Sequence, residues 1–214
     1  MELQKNTLYT IAAKEEWTAD LKAVSQNLSP ALVLQAYQMG LFPWHQDENF
    51  FYWFSPDPRM VLFTEKVKVS KSMRNVINQK KLTVTFNQAF EKVIQNCSTI
   101  ERKEQAETWI SDDFKSTYNK LHVMGFAKSV EAWNENGDLV GGLYGLEIGK
   151  VFFGESMFSS ESNASKVCFI HLAKKLEAQG FRCLDCQAVN PHLRTLGAED
   201  ISKKVFLEIL ERSI

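Results

Sequence analysis

Apolar side chains recur at helical spacing over Leu32, Ala36 and Tyr37, behind Ser29 as N-cap and Pro30 at the first helical position. Gly40 stands where such a helix ends. The same reading predicts a helix from Ser70 through Ile77, and another capped by Asn87 that ends near Cys97. Ser111, followed by Asp112 and Asp113, opens a fourth whose buried face carries Phe114, Tyr118 and Leu121 and which stops at Gly125. Asn163 caps a longer one through Ile170 and Leu176 to Gly180, and short helices follow Asn190-Pro191 and Ser202. The period drops to two in residues 82–86, 127–133, 139–148, 151–158 and 183–187, which read as strands. Residues 41–44 read as an irregular aromatic loop, 50–54 as a second aromatic block, and the two prolines of 55–59 forbid regular structure. Residues 1–27 carry no assignable pattern.

Helices, then antiparallel strands, then helix, strand and helix form an α+β order, not the alternation of a doubly wound sheet or barrel. The expected division is a small N-terminal lobe over 1–63 and a larger domain over 64–214. With 214 residues, 44% hydrophobic, and only five prolines, the chain can bury a full core. Lysine and arginine number 25 against 26 acidic residues, so no global field draws a nucleic acid. A local one exists: Lys66, Lys68, Lys71, Arg74, Lys80 and Lys81 fall within sixteen positions with no acidic residue between them. That run is either a solvated helix face or a contact for a phosphate backbone, and Trp44, Trp53 and Trp109 are stacking platforms near it in sequence or core residues. No secretory signal opens the chain, no run approaches the ~20 apolar residues of a membrane span, and four cysteines do not make a disulfide scaffold. A soluble cytoplasmic protein with reduced thiols is expected.

Alternation within the strands singles out polar groups. Asp185 and Gln187 share one face of their strand, with Leu184 and Cys186 on the other. Phe153, Glu155 and Met157 share a face provided Gly154 does not mark a bulge. A carboxylate between Phe and Met is costly unless paired, so Glu155 is either a salt-bridge partner of an internal Lys or Arg or a functional acid. Cys183 and Cys186 form a CxxC, but inside a strand rather than at a helix start, where a redox pair would sit. His45, His122, His171 and His192 show no paired metal spacing, and no metal is expected. Ser156 lacks the second glycine of a nucleophile elbow, and Gly141-Gly142 reads as close packing, not a phosphate loop.

From about Leu28 to Leu210 the chain resembles the bacterial leucyl/phenylalanyl-tRNA–protein transferases. The segments that carry the resemblance, in order, are Leu28-Ser29-Pro30 with Ala36-Tyr37, Gly40-Leu41-Phe42-Pro43-Trp44, Trp53-Phe54-Ser55-Pro56-Asp57-Pro58-Arg59 and Ser70-Lys71-Ser72-Met73. They continue with Thr108-Trp109-Ile110, Leu143-Tyr144-Gly145, Phe153-Gly154-Glu155-Ser156-Met157-Phe158, Asn163-Ala164-Ser165-Lys166, Asp185-Cys186-Gln187 and Leu196-Gly197-Ala198. The resemblance implies transfer of Leu, Phe or Met from aminoacyl-tRNA to the N-terminal Arg or Lys of a protein, which marks that protein for degradation. It also implies a C-terminal domain like the GCN5-related acyltransferases, with a mixed, largely antiparallel sheet flanked by helices.

By position, the resemblance implies that Asp185 and Gln187 form the catalytic pair and that Glu155 is the carboxylate near the acceptor. It assigns Phe152, Phe153, Met157 and Leu143 to the donor's side-chain pocket, and Trp44, Trp109 and Tyr118 to the aminoacyl-adenosine end. The basic run Lys66, Lys68, Lys71, Arg74, Lys80 and Lys81 is the expected RNA contact. No cofactor is implied, and a monomer is expected. Leu143 stands where a Met is common, which bears on donor preference. Two rivals are an acyl-CoA-dependent acyltransferase, whose Q/R-x-x-G-x-G/A loop is missing at Asn163, and a non-catalytic tRNA-binding protein.

Overall fold

The structure, a computed structural model, describes residues 6–11, 20–100 and 109–214; the expectations for residues 1–5 and for Thr108 fall outside these. Among the described residues, one sheet joins β1 (Tyr9–Thr10), β2 (Leu21–Ser25), β3 (Phe42–Gln46) and β4 (Phe51–Phe54) in the order β1-β2-β4-β3. A second sheet contains β5 (Arg59–Phe63), β6 (Thr83–Phe86), β7 (Ala127–Trp133), β8 (Leu139–Ile148), β9 (Val151–Ser159), β10 (Cys183–Gln187) and β11 (Glu199–Ile201). Its order is β11-β5-β10-β9-β8-β7-β6, antiparallel throughout except where β9 and β10 run parallel. That parallel pair requires a crossover, which α5 (Ala164–Ala178) supplies.

The remaining helices are α1 (Pro30–Gln38), α2 (Lys71–Asn78), α3 (Phe90–Thr99), α4 (Asp112–Val123), α6 (Pro191–Thr195) and α7 (Lys203–Glu211). Each face of the larger sheet has its own apolar cluster. One combines Val61, Tyr144, Leu146 and Phe153 with α1, α3, α4, α7 and the four-stranded sheet, including Trp53. The other packs Met60, Leu62, Leu143, Phe152 and Leu184 beneath α5 and α6. The elements before Arg59 therefore share a core with the larger sheet.

Five of the capping expectations hold in detail. Ser29, Ser70, Ser111, Asn190 and Ser202 each accept a hydrogen bond from the amide three residues on. The side chains of Asn87 and Asn163 make no capping bond, although Asn163 holds the N-cap position of α5. Both lie in the left-handed region, at φ 58° and 68°. Asn87 spends its Oδ1 on the Ser129 amide (2.9 Å), and the α3 start is met instead by the buried carboxylate of Glu131 at the Ala89 amide. At α5 the hydroxyl of Ser159 takes the Ser165 amide.

The aromatic loop at 41–44 is largely strand β3, because β3 is a sheet edge, where Pro43 forfeits no ladder bond. The prolines of 55–59 confine irregularity to a few residues, and Arg59 already opens β5. Among the described residues no helix is long and apolar enough to cross a membrane.

Candidate active site

Strands β9 and β10 pair in parallel only as far as Phe153 and Asp185. Immediately beyond, each carries one extra residue. The register slips at Glu155 opposite Tyr144 and Gly145, and at Cys186 opposite Val61 and Met60. A one-residue bulge reverses which face the later side chains take. Met157 therefore pairs with Leu143 on the α5 side, while Phe153 pairs with Leu146 on the α1 side. Phe153, Glu155 and Met157 do not share a face, and Asp185 and Gln187 do not either: Asp185 pairs with Val61, Gln187 with Met60. Both corrections have the same cause, the inserted residue that alternation cannot see.

The slips open a cavity of about 600 Å³. Its apolar wall is Leu143, Phe152, Met157, Leu184 and Leu193, with Phe169 and Leu172 from α5. Gly145 makes this possible: a Cβ there would lie 2.5 Å from the Phe152 ring and 2.1 Å from the Phe153 carbonyl oxygen. The polar end presents Glu155, Ser156, Gln187 and Asn190, and Trp44 stands at the cavity with 39% of its surface exposed. Trp44 is itself the extra residue of a third register slip, between Pro43 and His45.

Glu155 is buried, and its oxygens accept from the hydroxyls of Tyr37 (2.6 Å) and Tyr118 (3.1 Å), which lie 3.0 Å from each other. Burial is the largest influence on the carboxyl and pushes it up to about 8, aided by the Asp185 charge and opposed by the two tyrosines and the Gln187 amide. The same burial and the adjacent carboxylate raise both tyrosines well above their ordinary range. The salt bridge that could have explained Glu155 is one strand away. Arg59 forks onto Asp185 through Nε (2.8 Å) and Nη2 (2.6 Å), and its Nη1 donates to the Gly40 carbonyl (3.1 Å). The guanidinium lies between the rings of Phe42 and Phe206. Asp185 Oδ1 also accepts from the Gln187 amide nitrogen (2.9 Å). Gln187 itself stands at φ 66°, and its buried side-chain Nε2 makes no hydrogen bond of ordinary geometry but acts on the Glu155 carboxyl.

The structure gathers Glu155, Gln187, Trp44, Leu143, Phe152 and Met157 around one cavity. It keeps four expected site residues away from it. Asp185 is wholly buried against Arg59. Phe153 packs edge-on to Tyr37 and Phe206 on the opposite face. Tyr118 reaches the site only through its bond to Glu155. Trp109 packs on Phe114, away from the cavity lining.

Of the basic run, Lys66 is paired with Glu199 at 2.6 Å, whereas Lys68, Lys71, Arg74, Lys80 and Lys81 are exposed. Burial pushes the Cys183 thiol up to about 12 and raises Cys186 well above its ordinary range, against a redox role. Tyr37, Arg59, Phe169, Leu172, Leu193 and Asn190 were not singled out from sequence. Only Arg59 left a signal there, a charge heading the apolar run Met60-Val61-Leu62-Phe63 that demands a buried partner.

Residues 61–211 match the family described as leucyl/phenylalanyl-tRNA protein transferase, and residues 26–57 match its N-terminal domain. The chain is 52% identical over 192 residues to a leucyl/phenylalanyl-tRNA–protein transferase of Christiangramia forsetii, covering 89% of this chain and 90% of that one. It is 47% identical to one of Flavobacterium johnsoniae, covering 88% and 89%. Among solved structures it is similar to the L-PGS of Bacillus licheniformis (13% identity, TM-score 0.46, 64% of this chain and 49% of that one). A GCN5-related N-acetyltransferase from Kribbella flavida gives 10% identity and a TM-score of 0.43, covering 69% and 55%.

Proposed function

The chain belongs to the leucyl/phenylalanyl-tRNA protein transferase family, and from that premise we propose that it moves Leu, Phe or Met from tRNA onto the N-terminal Arg or Lys of an acceptor protein, marking it for degradation. The observation that carries this reading is one cavity with an apolar wall and a polar end that holds a carboxylate and a side-chain amide. The wall suits an unbranched or aromatic donor side chain, and the flexible Met157 accommodates more than one shape. Trp44 offers a face for the terminal adenine, and the exposed lysines with Arg74 offer charges for the tRNA backbone.

The donor ester is already activated, so orientation and charge stabilisation suffice. An α-ammonium has an ordinary pKa of about 8, which the raised Glu155 matches. Burial makes Glu155 a stronger base than an ordinary glutamate, which favours a general-base role. Glu155 pairs with the incoming ammonium and accepts its proton. Tyr37 and Tyr118 hold the carboxylate in place. Gln187 orients the amine, and Asp185, locked by Arg59, positions Gln187.

Incubation with radiolabelled leucyl-tRNA and an Arg-starting peptide, without coenzyme A, tests the reading. Labelled peptide is expected. Its absence would sink the transferase reading, and activity that requires acyl-CoA would favour the acyl-CoA-dependent rival.

A further inference from the structure

Strand β9 runs for nine residues, Val151–Ser159, yet β10 accompanies it only from Val151 to Phe153. On its other side β8 stays paired with it as far as Ser159. In an antiparallel ladder, residues that exchange hydrogen bonds alternate with residues whose main-chain groups point to the opposite edge. The Ser160 amide donates to the Val140 carbonyl (2.8 Å), which sets the phase. Phe158 and Ser156 therefore bond to β8, and the N–H and C=O of Met157 point to the side that β10 has left. The amide of Gln187, next in the parallel ladder, is spent on its own strand, at Asp185 Oδ1 (2.9 Å). The cavity lies in this gap, with Gly154, Glu155, Ser156 and Met157 on one side and Cys186 and Gln187 on the other.

An open strand edge is a template for another extended chain. Charge and direction decide which chain. Glu155 stands where the two strands part, so an α-ammonium is drawn to the start of the gap. A chain that leads with that ammonium and lies along the edge runs from Glu155 toward Met157. It is then parallel to β9, as β10 is.

We propose that the acceptor polypeptide binds by main-chain pairing, continuing along β9 the parallel ladder that β10 abandons. This rests on the transferase reading above and adds how the acceptor's chain is held. Its first residue takes the ladder place that Gln187 vacates. The extra residue at Glu155 passes the next two bonds from Ser156 to Met157. The Met157 N–H donates to the carbonyl of acceptor residue 1, and the Met157 carbonyl accepts from the N–H of acceptor residue 3. The N–H groups of acceptor residues 2 and 4 face away from β9, because ladder groups alternate along a strand. Pairing of this kind reads no side chain. One site can therefore hold many proteins that have only their first residue in common.

The test needs only the wild-type protein, radiolabelled leucyl-tRNA and three acceptors with the sequence Arg-Ala-Ala-Ala-Ala. One is all-amide. The second has an ester in place of the amide between residues 2 and 3, and the third has it between residues 3 and 4. Each ester deletes one N–H while keeping the length and shape of the chain. The 2–3 ester is expected to lower kcat/KM by about tenfold, the upper end of what one hydrogen bond contributes. The loss should appear in KM with kcat nearly unchanged, because the bond is made equally before and during reaction. The 3–4 ester should stay within about twofold of the all-amide peptide. Equal losses from the two esters, or a loss confined to the 3–4 ester or to kcat, overturn the proposal. Equal rates with all three peptides overturn it too and leave the open edge to the aminoacyl donor. A protein that labels no all-amide peptide sinks the transferase reading itself; an active protein blind to the position of the ester sinks only the main-chain pairing.

Discussion

The guanidinium of Arg59 and the carboxylate of Asp185 meet through two hydrogen bonds, 2.8 and 2.6 Å, with neither side chain reaching solvent. Removing one partner of such a pair leaves a buried charge uncompensated. Arg59→Met should therefore lose about 3–5 kcal/mol of unfolding free energy in urea titrations. Arg59→Lys should recover little, since an ammonium lacks the fork and the stacking between Phe42 and Phe206. Wild-type stability in either variant would remove the pair from the account of the fold.

Glu155 predicts an unusual dependence of stability on pH. Its folded-state pKa is raised from an ordinary 4.5 to about 8. The folded protein keeps a proton across that window that the unfolded chain has released. The contribution is thus fully present below pH 4.5 and is lost as pH rises to about 8, with a slope of up to about 1.4 kcal/mol per pH unit. Glu155→Gln should flatten that decline, measured by denaturation at pH 5, 6, 7 and 8. Parallel curves for the two proteins would contradict the buried, proton-holding carboxyl.

Leu143 faces Met157 across the β8–β9 ladder and lines the cavity. Leu143→Met extends a side chain into that space, which should penalise the larger donor. The ratio of kcat/KM for leucyl- over phenylalanyl-tRNA is expected to rise severalfold, at the low end of what a methylene decides in an apolar pocket because Met is flexible. An unchanged ratio would detach Leu143 from donor choice.

For the exposed basic run, Lys68, Lys71 and Arg74 replaced together by Ala should weaken tRNA binding and lower the slope of log affinity against log salt by about two. Lys66→Ala should change it less, because that ammonium is already engaged with Glu199. Filter binding over a salt series measures both.

Most helices and the central strands were legible in the sequence, because capping serines and periodic apolar residues act locally. What could not be read is where one strand gains a residue over its neighbour. The slips at Trp44, Glu155 and Cys186 depend on partners far away in the chain, and they decide which side chains enter the cavity. Simple alternation put Asp185 beside Gln187 and Phe153 beside Met157, and one inserted residue in each strand separated them. Phe169 and Leu172 looked like ordinary helix core, and Tyr37 like one more apolar position of α1. Their service to the site appears only when α5 and α1 are seen on opposite faces of the same two strands.

The Tyr37 hydroxyl that holds Glu155 comes from α1, upstream of Arg59, whereas Glu155 belongs to β9. The two halves of the chain are consequently not interchangeable parts. A chimaera whose borrowed 26–57 segment lacks a tyrosine at position 37 imports a new setting for the proton on Glu155. Its acid–base behaviour would follow the donor of that segment, even with every residue from Arg59 onward untouched.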